Sequence, residues 1–176
     1  MSWISKPFEA SRVEFLEREF GYTTATSVLL SRLPFHDLKA VRRFLNPKLT
    51  HLRNPFLIPN IEEAVIRLIE AVDQRQRVFV IGDYDVDGVT STALFVGVLR
   101  ELGLDPGFSV PRRVEDGVGL SLPLVNEKVI SRDEPFDLLV ALDCGTNDRE
   151  AIARLRSEGI DVIVVDHHQV QQPLGD

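Results

Sequence analysis

The sequence predicts an α/β fold: a doubly wound, mostly parallel sheet preceded by an N-terminal helical segment. Three observations predict it. From residue 77 onward, short β-branched runs alternate with helix-like stretches, as parallel strands joined by helical crossovers do. The first 60 residues instead space apolar side chains three or four apart between prolines, as packed helices do. Three of the four strand candidates end in acidic or imidazole side chains, and open parallel sheets gather function beyond the carboxyl ends of their strands. We therefore divide the chain into residues 1–60, helical and irregular, and residues 61–176, the α/β part.

In the first part, "SRVEFLEREF", "TATSVLLSRL" and "DLKAVRRFLN" read as helices, and "NPKLTHLRNPFLIPN" as an irregular connector with apolar anchors. Asn60 followed by Glu63 reads as a capping box opening the helix "IEEAVIRLIEAV". "RVFVIG" is then a buried strand and "VTSTALFVGVLRELG" a helix stopped at Gly103. "GFSVP" is a second strand, "SLPLVNEKVISR" a helix and "FDLLVALD" a third strand. "NDREAIARLRSEG" is a helix with a capping box from Asn147 to Glu150, and "IDVIVVDHH" is the fourth strand. The closing "QVQQPLGD" forms no element that could complete a domain, so the chain is expected to stop in mid-fold.

The composition, 44% hydrophobic and 27% charged over 176 residues, suffices for a compact core. No apolar run approaches the roughly 18 residues that a membrane span needs. The single cysteine, Cys144, excludes an intrachain disulfide framework, and the expectation is a cytoplasmic protein with no membrane partner. The net charge of −7 argues against a protein that simply coats nucleic acid. Residues 1–60 nevertheless carry 9 Lys/Arg against 5 Asp/Glu, a balance of +4, which leaves −11 for the rest. The early segment could face a polyanion, and the later one would need metal cations to do so; ordinary solvated surface charge explains these counts equally well.

"GDYDVDG" places Asp83, Asp85 and Asp87 at every second position, and alternate positions of an extended segment share a side. With "LDCG" at the third strand end and "VDHH" at the fourth, carboxylates and imidazoles converge on one sheet edge. Such a cluster is tolerable only when a cation neutralises it. Carboxylate oxygens suit Mg²⁺ and Mn²⁺, and an added imidazole favours Mn²⁺. One carboxylate between two others suggests a pair of ions about 3.5–4 Å apart, the spacing of two-metal phosphoryl chemistry. Gly88 would let the backbone approach a ligand closely, and the helix start near Thr90 and Ser91 would offer free N–H groups to an oxyanion. Singly, Asp83 reads as a turn or cap residue, Asp143 as a strand-end cap and "HH" as surface. His36 and His51 have no such context and read as structural.

These motifs, in this order and spacing, resemble the DHH phosphoesterase superfamily. "FLNPKLTHLRNPFLIPNIEEAVIRL" and "SVPRRVEDGVGLS" further resemble segments of its single-strand-specific exonuclease family RecJ, and the likeness runs from about Trp3 to the C-terminus. The resemblance implies that Asp85, Asp87, Asp143 and His167 bind metal, with Asp143 bridging. It implies that His168 contacts the scissile phosphate, that Asp83 and Asp166 support the ligands, and that Arg113, with Arg112 beside it, grips a phosphate. The catalytic group would then be His168, Asp83 and Arg113, and the substrate contacts Arg113 and Gly88. It implies Mn²⁺ or Mg²⁺ as cofactor, two ions in the complete protein, and a single-stranded nucleic acid as partner. Two positions depart from the family pattern. Cys144 stands where asparagine is usual and is expected to be a spectator; Val118 stands where the substrate loop usually carries an aromatic.

The family also has a downstream aspartate and a C-terminal DHHA1-type domain, for which the residues after His168 leave no room. The C-terminal part of the family fold is therefore expected to be absent, and the chain to be a fragment with weak or no nuclease activity. The leading expectation is a metal-dependent, 5′-to-3′ single-stranded-DNA exonuclease module of DNA repair and recombination. A DHH hydrolase of short oligonucleotides or cyclic dinucleotides is a second reading, and a non-catalytic nucleic-acid-binding scaffold a third. A phosphoacceptor receiver domain would also place acids at strand ends, but it does not need paired histidines there.

Overall fold

The computed structural model describes residues 6–35, 37–111 and 119–171. The readings made for His36, Arg112, Arg113 and Val118 lie outside these residues. The chain divides into two compact units, Met1–Leu57 and Ile58–Asp176.

The first unit holds three helices, α1 (Ala10–Phe20), α2 (Thr24–Ser31) and α3 (Leu38–Leu45), then 3₁₀ turns at Leu49–His51 and Pro55–Leu57. Its core is Leu16, Leu30 and Val41, one from each helix, flanked by Phe15, Phe20, Phe35 and Leu45. Side-chain caps start α2 and α3: Thr23 accepts from the N–H of Thr26, and Asp37 from that of Ala40. These caps satisfy N–H groups that the helices cannot pair internally. Arg12 ties α1 to the end of the α2 turn by donating to the carbonyls of Leu33 and Phe35.

The second unit opens with α4 (Ile61–Asp73) and contains a parallel sheet of β1 (Val78–Gly82), β2 (Gly107–Ser109), β3 (Leu138–Leu142) and β4 (Asp161–Val165). The strand order is β2-β1-β3-β4. Between β1 and β2 runs α5 (Val86–Glu101). Before β3 comes the short α6 (Leu122–Val125), which continues as a π turn over Asn126–Ile130. Between β3 and β4 runs α7 (Arg149–Ser157). β1 and β3 are buried along their whole length, so their sequences are continuous apolar runs rather than alternations.

Alternate residues of these strands face two different cores. Phe79, Ile81, Leu139 and Ala141 pack with Leu124, Val129, Ala151 and Leu155. Val78, Val80, Leu138, Val140 and Leu142 pack with Ala71, Val96 and Leu99. Helices α6 and α7 thus cover one face and α4 and α5 the other, which makes the sheet doubly wound, as the sequence pattern requires.

Three local expectations are corrected. Asn60 makes no side-chain cap; its φ of 59° is left-handed, and its contribution is the turn into α4. Asn147 does not cap α7, which starts at Arg149 after Asp148. Its side chain is engaged instead with Gln169 and Gln171. Thr90 and Ser91 lie inside α5, not at its start, and their hydroxyls donate back to the carbonyls of Val86 and Gly88. Among the described residues, no helix is long and apolar enough to cross a membrane.

Candidate metal centre

The chain reverses its direction of growth between β1 and β3: β2 is added on one side of β1, and β3 and β4 on the other. A crevice opens at such a switch point beyond the carboxyl ends. Asp83 follows β1, Asp143 follows β3, and Asp166, His167 and His168 follow β4. The three motifs therefore come together at this crevice. Asp83 donates its N–H to Leu142 O at 3.2 Å, and Asp143 donates to Val165 O at 2.8 Å, so the sheet ladder runs up to the acidic residues.

Close packing positions the first motif. A Cβ on Gly82 would overlap Thr92 Oγ1 and Gly88 O, and one on Gly88 would overlap the backbone of Asp83. Both glycines are needed for α5 to start against the end of β1. The close approach made by Gly88 is thus to Asp83. Asp85 caps α5, its Oδ1 accepting from the N–H groups of Asp87 at 2.9 Å and Gly88 at 3.1 Å. These bonds, that of Gly88 foremost, hold the Asp85 carboxyl below its usual range.

Asp143 has a φ of 60°, a left-handed conformation that is uncommon outside glycine and concentrates at functional sites. It is 8% exposed. Burial, and then the negative charge of Asp85, push its carboxyl up. Its Oδ1 lies 3.1 Å from His167 Nε2. The His167 and His168 rings lie 4.9 Å apart.

Asp166 is the anchor of the third motif. One carboxylate oxygen accepts from the Thr146 N–H at 3.1 Å; the other accepts from the His168 N–H at 3.0 Å and pairs with His168 Nδ1 at 2.7 Å. Burial acts to raise the Asp166 carboxyl, but the bonds from Thr146 and His168 outweigh it and hold it well below the usual range. The same hydrogen bond raises His168. With Nδ1 committed to Asp166, Nε2 of His168 remains for another ligand.

Ligand atoms of Asp143, His167 and His168 lie within 4.8 Å of one another, a group able to hold a metal ion. Asp83 Oδ1 and Asp143 Oδ2 are buried with no hydrogen-bond partner. Buried carboxylate oxygens without donors are costly unless a cation meets them. The donor set is carboxylate and imidazole, so the residues present fit a divalent ion of the Mn²⁺ type.

Sequence reasoning missed the supports around this group. Asp148 Oδ2 accepts from Leu120 N–H at 3.0 Å, and burial pushes its carboxyl up. Asn147 donates to Gln169 O at 3.1 Å and accepts from Gln171 N–H at 2.8 Å, tying down the stretch after the histidines. Cys144 is 6% exposed and packs in the core beneath the site. Burial pushes its thiol up to about 12.

Residues 77–175 match the DHH family, N-terminal domain. The chain belongs to the DHH family. This DHH chain is 40% identical over 153 residues to the single-stranded-DNA-specific exonuclease RecJ of Haemophilus influenzae, covering 86% of the chain and 26% of that protein. It is 29% identical to RecJ of Bacillus subtilis, over 100% of the chain and 22% of that protein. It thus spans about a quarter of the length of these relatives. Among solved structures, an exonuclease RecJ bound to manganese matches with a TM-score of 0.59 at 37% identity, covering 66% of the chain and 30% of that structure. RecJ of Thermus thermophilus in complex with Mn²⁺ matches with a TM-score of 0.56 at 26% identity, covering 94% of the chain and 22% of that structure.

Proposed function

We propose that this chain is a metal-binding part of a 5′-to-3′ single-stranded-DNA exonuclease acting in DNA repair and recombination in the cytoplasm. The observation that carries this is the pair of buried, unpartnered carboxylate oxygens on Asp83 and Asp143 beside His167 and His168. RecJ relatives named as single-stranded-DNA-specific exonucleases support the substrate class, and the manganese-bound RecJ structures support the ion.

In this reading Asp85, Asp87, Asp143 and His167 would hold Mn²⁺ or Mg²⁺, with Asp143 serving both metal sites of the complete protein. Bound there, divalent ions lower the pKa of water and neutralise charge on a phosphodiester undergoing in-line displacement. Asp166 fixes the ring of His168, so that Nε2 is aimed at the phosphate or at the ion. The hydrogen bonds to Asp85 keep it ionised, as a ligand must be. Asp83 balances the buried charge behind the ligands, and Gly88 holds the first turn of α5 beside it. Arg113 grips a phosphate oxygen through its guanidinium fork.

The described residues gather one three-residue ligand group, so the isolated chain is expected to hydrolyse DNA weakly or not at all. A DHHA1-type domain in the same polypeptide would complete the cleft. Titration calorimetry with Mn²⁺ on the chain and on Asp143→Ala tests the reading. Binding that is lost in the variant supports it, whereas equal binding by both, or by neither, refutes it.

A further inference from the structure

The first unit carries a groove that nothing in the metal centre uses. It has a volume of about 740 Å³, and Lys39, Arg42, Arg43 and Lys48 line it together with Asn46 and Thr50. Among the described residues no acidic side chain lines it, and from Leu38 to Ile61 the sequence contains no Asp or Glu at all. None of the four cations pairs with a carboxylate among the described residues. Lys39, Arg42 and Arg43 fall at i, i+3 and i+4 of α3, which places their charges on one face about 5–6 Å apart.

The wall is also built rather than incidental. His51, which lines it together with Leu38, accepts the Lys48 N–H on Nδ1 at 3.2 Å, and Arg43 donates to the His51 carbonyl at 3.4 Å. The 3₁₀ turn is thereby fastened to α3. Arg42 lies 5.8 Å from the Phe20 ring centre, which orients its guanidinium. The neighbours along the chain are exposed and apolar: Phe44 at 57%, Leu49 at 86% and Leu52 at 75%.

We propose that this groove binds the phosphodiester backbone of a single-stranded nucleic acid, a reading that rests on the substrate class proposed above. Cations with no carboxylate partner, next in sequence to exposed apolar side chains, supply what single-strand binding combines: charge for the backbone and apolar surface for unpaired bases. The charge distribution agrees, since residues 1–60 carry +4 and the remainder −11. An acidic peptide would satisfy the cations but does not present the evenly spaced charges of a phosphodiester backbone to a helix face that repeats them.

The test is fluorescence anisotropy of a labelled oligothymidylate of 20 nucleotides on the full chain in EDTA, titrated across salt, with a Glu-rich peptide as a second probe. Lys39→Gln/Arg43→Gln/Lys48→Gln should weaken DNA binding by about tenfold or more at low salt and flatten the log K against log salt slope by about 2. Thr50→Lys adds a cation to the wall and should steepen the slope by about 0.7, so the proposal stays testable if the triple variant misfolds. Arg154→Gln removes a cation of the second unit that is already paired with Glu158 and should bind DNA as the parent does, which separates this groove from a general loss of positive charge, while EDTA keeps the metal centre out of the readout. An unchanged slope in both groove variants overturns the proposal. So does binding of the Glu-rich peptide but not the DNA, or of neither probe.

Discussion

Gly88 and Gly97 sit in the same helix under opposite constraints. A side chain at Gly88 meets the Asp83 backbone, whereas one at Gly97 meets nothing. Gly88→Ala should therefore destabilise the chain by about 1–3 kcal/mol through overpacking. Gly97→Ala should stabilise it by about 0.5–1 kcal/mol through helix propensity. Urea denaturation of both variants checks the pair. Cys144 gives a pH signature at the same scale. Its folded value of about 12 lies above the ordinary 9.0, so its contribution to stability is fully present below about pH 9 and is lost as pH rises toward 12. At pH 8 the native thiol should resist iodoacetamide and the urea-unfolded thiol should react, as read by mass spectrometry.

At the scale of the element, the strands were legible in the sequence because both faces of β1 and β3 are buried, leaving unbroken apolar runs. The acids at their ends were legible because no turn needs so many. The two capping boxes were not, because Asn60 and Asn147 have the right chemistry for a cap but their side chains are oriented by other demands. Asn60 takes the left-handed turn before α4. Asn147 spans from the start of α7 to the stretch after β4, a connection that local spacing does not reveal. Asn147→Ala should thus leave the urea midpoint nearly unchanged yet weaken Mn²⁺ binding by about tenfold, as lost outer supports of metal ligands do. Calorimetry beside the denaturation curve separates the two effects. Asp148 and Thr146 escaped notice for the same reason, since each acts through a backbone N–H supplied or received across the fold.

At the scale of the whole molecule, strand order was beyond the reach of pattern, because an apolar run does not name its neighbour. The insertion of β3 between β1 and β4 is what gathers Asp83, Asp143 and His167, residues separated by 60 and 24 positions along the chain. During synthesis the N-terminal portion emerges first, and the donors cannot meet until β4 has been made and docked on β3. Contacts of such long range form late in folding. An ion that needs all of them has no template role and acts by slowing escape from the finished sheet. Chevron plots with and without Mn²⁺ should show a slower unfolding arm and an unchanged refolding arm, with about 2.7 kcal/mol added at a hundredfold excess over Kd. The order of the strands thereby sets the moment at which the ion can first bind.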